Sequence, residues 1–126
     1  MKVGTISAVL FAKDRAKLAG FYRDVLGMHV RAGGEHHASL VCGGFELLIH
    51  QLPPESAASI AIARPPLRRE TGAIRLNFSV DDIGSARRAA AALGGQVDDA
   101  APARAPSDAR VRLGHDPEGN VFLVEE

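Results

Sequence analysis

Arg75 and Asn77 stand two residues apart in Ala73–Val80, a segment that alternates apolar and polar side chains, so both leave the same side of an extended chain. An arginine on a pocket wall recognises a carboxylate, phosphate or other anionic group through paired N–H donors. An equally available reading pairs Arg75 with an internal acid such as Glu125, which shares a face with Leu123. In Phe45–Gln51 the same alternation sets Glu46, Leu48 and His50 on one side. An imidazole there can ligate a metal, act as a general base or hydrogen-bond a ligand, and the plain alternative is a satisfied histidine at a strand end. His36 and His37 would point to opposite faces of a strand and read as part of a solvated turn. His115 orients the turn that follows it. Cys42 reads as a small buried hydrophobe, and Arg87 and Arg88 as a solvated helix face. Ser7, Val9, Phe11, Leu48, Val121 and Leu123 would form a largely apolar wall with few polar points, the usual composition of a small-molecule site.

Bulk composition limits what such a site can serve. The 126 residues suit one domain, 1–126, with a core of its own. Fifteen basic and fifteen acidic residues cancel, and no Lys/Arg run lies along one element, which removes the electrostatic footprint of a nucleic-acid partner. A single cysteine excludes an intrachain disulfide framework and a Cys-rich zinc site. No apolar run approaches the roughly 20 residues of a membrane span. Met1-Lys-Val-Gly-Thr-Ile6 enters a strand-like pattern with no apolar signal core, so a cytoplasmic location is expected.

The elements that must position these residues follow in chain order. Val3–Phe11 is β-rich, with Ile6, Ala8 and Leu10 on one face and Ser7, Val9 and Phe11 on the other. Asp14 is an N-cap, Leu18, Phe21, Val25 and Leu26 follow at helical spacing, and Gly27 stands where a helix would end. Short strands are expected near Met28–Arg31, His37–Cys42 and Phe45–Gln51, with hairpin turns at Gly33-Gly34 and Gly43-Gly44. Residues 52–72, bracketed by Pro53-Pro54 and Pro65-Pro66, read as a linker with room for one helical turn. The opening pattern then returns. Ile74, Leu76, Phe78 and Val80 share a strand face, Asp82 caps a helix carrying Ile83, Ala86, Ala90 and Leu93, and Gly94-Gly95 ends it. A strand begins at Gln96-Val97-Asp98, a Pro/Ala loop covers Asp99–Asp108, and a strand covers Ala109–Gly114. Asp116-Pro-Glu-Gly-Asn120 is a firm turn, and Val121-Phe-Leu-Val124 reads as a buried strand. Leu26-Gly-Met-His-Val30 matches Leu93-Gly-Gly-Gln-Val97, and Asp14 matches Asp82, so the chain is an internal repeat. The expectation is an α+β fold of two βαβββ modules, 1–51 and 73–126 around the 52–72 linker. Each would curl a mixed sheet around a central cavity, with the helices outside.

Three motifs carry a resemblance. Leu18-Ala-Gly-Phe-Tyr-Arg-Asp-Val-Leu-Gly-Met28 resembles the helix-one motif of the vicinal oxygen chelate superfamily, which contains glyoxalase I, bleomycin-resistance proteins, fosfomycin-resistance enzymes and extradiol dioxygenases. Phe78-Ser-Val-Asp-Asp82 and Asp116-Pro-Glu-Gly-Asn120 are similar to its second-half strand end and terminal turn. The resemblance implies one divalent metal, held by His, Glu or Gln from the first and last strands of each half and acting as a Lewis acid. Carried over position by position, it falls on Ser7, on Arg75, on Leu123 and somewhere in Phe45–His50. Serine is a weak ligand, a protonated guanidinium is none, and leucine has no donor. The implied function is therefore a metal-free, cofactor-free member that holds an amphipathic or anionic small molecule. Its ligand-binding residues would be Ser7, Val9, Phe11, Leu48, His50, Arg75, Asn77, Leu123 and Glu125. The alternative is a metal-dependent lyase or dioxygenase whose one divalent metal is displaced toward His50, with Glu46 or Glu125. Neither nucleic acid nor membrane is an expected partner, and a homodimer is.

Overall fold

Alternation in Ile6–Ala12 produces the first strand, β1, with Ala12 fully buried and Ser7, Val9 and Phe11 exposed. The computed structural model describes residues 1–106 and 108–126, so the loop expected over Asp99–Asp108 includes one residue, Ser107, outside those described. The Asp14 carboxylate accepts from the Lys17 amide at 3.1 Å and opens helix α1, Arg15–Leu26. Gly27 closes the helix at φ +71°, a backbone conformation other residues adopt only under strain. Leu18, Phe21, Tyr22, Val25 and Leu26 form its buried face, as the spacing required. Strands β2 (His29–Gly33), β3 (His37–Cys42) and β4 (Phe45–Gln51) follow. The sheet order is β1-β4-β3-β2, with β1 parallel to β4 and the other pairs antiparallel. Leu40, Leu47 and Ile49 are fully buried and meet α1 on one face.

The same order recurs after residue 70. Strand β5 (Leu76–Ser79) leads to helix α3 (Ile83–Ala92), then to β6 (Gln96–Val97), β7 (Val111–His115) and β8 (Val121–Glu125), in sheet order β5-β8-β7-β6. Asp82 caps α3 by accepting from the Gly84 amide at 3.0 Å. Phe78, Phe122, Val124, Ile83, Ala86 and Ala90 are buried, with the Phe78 and Phe122 rings edge to face at 6.0 Å. The chain is thus α+β, two modules each built on a four-stranded mixed sheet, in compact units of residues 1–61 and 62–126.

Several sequence expectations change. Strand β5 is shorter than Ala73–Val80, because its ladder with β8 starts only at Leu76–Phe122, and Ile74 is left 84% exposed. Leu93 leaves the core stripe because it is the C-cap of α3, beyond the last helical turn. Strand β8 is buried on one face only: Phe122 and Val124 turn inward while Val121 and Leu123 are half-buried. Cys42 is exposed at a strand end, not buried.

Residues 52–72 are more than a tether. Pro54–Ser59 forms helix α2, the helical turn expected there, and Lys13 Nζ donates to the Ala57 and Ile60 carbonyls at its end, at 2.7 and 2.5 Å. Further on, the Arg69 amide donates to the Gly119 carbonyl at 2.9 Å. Gly119 has φ +86°, and a Cβ built there would lie 2.1 Å from the Leu67 carbonyl oxygen. Only glycine lets this segment lie on the terminal turn.

Candidate functional site

In the N-terminal unit the sheet face turned away from α1 carries three cross-strand rows. The first is Ser7–Glu46–Val41–His29, the second Val9–Leu48–Ser39–Ala32, and the third Phe11–His50–His37. Val9 and Phe11 remain 52% and 60% exposed, which is unusual for large apolar side chains on adjacent rows. Ser7, Val9, Phe11, Leu48 and His50 therefore share one open face, as alternation required. The register left open in Phe45–His50 is settled: Glu46 stands directly beside Ser7.

Glu46 is the carboxylate of this face, in its first row. Its Oε2 accepts from Ser39 Oγ at 2.5 Å and from Arg31 Nη2. Arg31 is the extra residue of a bulge between Val30–Leu40 and Ala32–Ser39, which lets its side chain reach the carboxylate. Nothing in the sequence singles out Arg31, because its partner is 15 residues away and the bulge has no glycine signature. His50 Nδ1 lies 3.3 Å from the Gln51 carbonyl, and its ring is 6.0 Å from Phe11. His50 also borders an open cleft of about 480 Å³ lined by residues 35–36 and 50–54. His36 and His37 are exposed, His37 at the start of β3 opposite His50.

The C-terminal unit presents the rows Asn77–Leu123–Leu113 and Ser79–Glu125–Val111. Glu125 Oε1 accepts from Asn77 Nδ2 at 3.1 Å and lies 3.5 Å from Ser79 Oγ. Arg75 precedes β5, is exposed, and donates to the Glu70 carbonyl at 3.3 Å, so the pairing with Glu125 does not form. Asn77, Leu123 and Glu125 come together; Arg75 stays apart from them.

A second polar cluster in this unit escaped sequence reasoning. Arg68 Nη1 and Nη2 hold the two oxygens of Asp98 at 3.0 and 2.5 Å, and Arg68 Nε donates to His115 Nδ1 at 2.7 Å. His115 is 4% exposed. Burial pushes its imidazole below the usual histidine range, and the Arg68 cation adds to that. Arg68 holds the Asp98 carboxyl below its ordinary range, against the opposing effect of burial. Arg87 also turns to this corner, donating to the Asp98 carbonyl at 3.0 Å, while Arg88 is solvated. Beside the cluster, Asp116 accepts from the Glu118 and Asn120 amides and from Asn120 Nδ2, which fixes the terminal turn.

A divalent metal is the group the resemblance implies, and the donors do not fit it. Ser7, Arg75 and Leu123 are poor or impossible ligands, and Glu46 is already bound by a guanidinium and a hydroxyl. Among the described residues no three His, Cys, Asp or Glu side chains gather in a geometry that could hold a metal ion. No described helix is long and apolar enough to cross a membrane.

The model of the glyoxalase-like domain family matches residues 7–125. The chain belongs to that family. Within the vicinal oxygen chelate superfamily, this glyoxalase-like domain shares its fold with several solved structures. SMU.1112c is 26% identical, with TM-score 0.67 and coverage of 100% of this chain and 99% of that one. The fosfomycin resistance protein FosX from Listeria monocytogenes is 15% identical, with TM-score 0.68 and coverage of 99% and 93%. A glyoxalase/bleomycin resistance protein/dioxygenase family enzyme from Burkholderia phytofirmans PsJN is 20% identical, with TM-score 0.64 and coverage of 94% of each chain. One FosX variant was solved with Mn(II) and 1S,2S-dihydroxypropylphosphonic acid. No curated protein sequence matches the chain.

Proposed function

We propose that this glyoxalase-like domain is a small-molecule-binding protein that works without the divalent metal of its superfamily, holding an amphipathic or anionic ligand against an apolar sheet face. One observation carries the reading. The first-strand position Ser7 offers only a hydroxyl, and the carboxylate directly beside it, Glu46, is ion-paired with Arg31 and accepts from Ser39. A carboxylate already paired with a guanidinium is a poor partner for a metal, because the cation would first have to displace Arg31. The exposed Val9 and Phe11, with Leu48 directly beside Val9, supply the apolar surface such a ligand needs.

Metal analysis of protein purified without chelator tests the metal-free part, with well under one transition-metal ion per chain expected. A tightly bound ion at one per chain would overturn it. A thermal-shift screen of small acids, phosphates and antibiotics tests binding, because a ligand at 100 times its Kd raises stability by about 2.7 kcal/mol. The proposal includes a homodimer. Its support is the open edge of β2 and the exposed Val30 on that strand, which lies off the Ser7–Val9–Phe11 face. Sedimentation should give a mass of two chains, and a mass of one chain would remove the dimer.

A further inference from the structure

We infer that Arg31 and Glu46 act together as one recognition element for a net-neutral head group carrying a hydrogen-bond donor beside an acceptor, as a zwitterionic α-amino acid or a primary amide does. The inference rests on the small-molecule reading above and narrows the ligand class. Only Nη2 of Arg31 is engaged, on Oε2 of Glu46, and Ser39 shares that same oxygen. Nε and Nη1 of Arg31 and Oε1 of Glu46 have no protein partner among the described residues. Free donors and a free acceptor thus stand side by side.

The charges decide which head group fits. A monoanion gains the attraction of Arg31 but meets the repulsion of Glu46, and a monocation meets the reverse. A head group with both functions satisfies both ends and leaves no charge unpaired. The Glu46 side chain is 25% exposed, so hydrogen bonds to its carboxylate count for more than at a fully solvated surface. The body of the ligand has a place as well. Two strand residues span about 7 Å, so a molecule anchored at the Glu46 row lays its next few carbons on Val9 and Leu48.

Four probes with one phenethyl body test this on the full chain: free phenylalanine, 3-phenylpropanamide, 3-phenylpropanoate and phenethylamine. Their affinities are read by amide chemical-shift titration. Phenylalanine and the amide should bind about tenfold or more tightly than the two singly charged probes, moving the amides of Val9, Ser39 and Leu48. Glu46→Gln should weaken phenylalanine about tenfold and strengthen 3-phenylpropanoate, reversing the order, because Arg31 is freed for an anion. Arg31→Met, at an exposed edge-strand position, should shift the order toward phenethylamine instead. Equal binding of the four probes, or an order that neither substitution changes, overturns the head-group inference while leaving the binding role intact. If none of the four binds, the inference also fails, and the proposed function is then decided separately by its thermal-shift screen and its metal analysis.

Discussion

Replacing Arg68 by Met removes a guanidinium that bonds two side chains at once, Asp98 and His115. Three hydrogen bonds go, two to Asp98 and one to His115 Nδ1. Asp98 is 29% exposed and regains part of its hydration, so losing its paired bonds costs about 1–2 kcal/mol. His115, 4% exposed, is left with a buried ring nitrogen and no donor, at about 1–2 kcal/mol more. The sum, about 2–4 kcal/mol, corresponds to a fall in Tm of roughly 8–15 °C for a chain of this size, measured by calorimetry at pH 7. The pH dependence should change as well. The native His115 pKa is depressed, so the unfolded chain binds a proton first. Stability from this group is fully present above about pH 6.5, the unfolded value, and falls with pH below it. Without the Arg68 cation the imidazole titrates at higher pH, and this loss should flatten. A Tm within about 2 °C of the parent, together with an unmoved His115 titration by NMR, would refute the assignment of Arg68 as the keystone of the cluster.

Two glycines in the left-handed region should respond very differently to alanine. Gly27→Ala, with open space around the new methyl, should cost about 1–2 kcal/mol in denaturant melts, whereas Gly119→Ala must also push back the Leu67 carbonyl and should cost about 3 kcal/mol or more. A Gly119 cost no larger than that of Gly27 would contradict the docking of residues 67–69 on the terminal turn. Lys13→Met should destabilise by about 1 kcal/mol and speed hydrogen exchange at Ala57 and Ile60 while leaving Leu47 and Ile49 unchanged. Phe122→Ala opens the core beside Phe78 and should cost about 3–5 kcal/mol; a loss under 1 kcal/mol would mean that the ring is not packed as described.

Much of the architecture was legible in the residues. Asp14, Gly27 and Asp82 mark helix ends through local chemistry, and the caps form at those residues. Alternation in Ile6–Ala12 and Phe45–Gln51 already sorted Ser7, Val9, Phe11, Leu48 and His50 onto one face, because side-chain direction in a strand is fixed by position parity. Parity also carried Asn77 and Leu123 together, but it misled at Arg75 and Ile74, where the ladder had not yet begun and no partner strand holds the chain extended. What the sequence could not contain is contact between distant residues. Arg68 lies 30 residues from Asp98 and 47 from His115, and Arg31 reaches Glu46 through a bulge that exists only once β2 and β3 have paired. Those pairings set which charges are neutralised and which ring nitrogen is buried. The sequence determined the two modules and argued against the family's metal from single residue types. Tertiary structure alone placed a guanidinium on the carboxylate beside Ser7, because strand register sets cross-strand neighbours only after the sheet has formed.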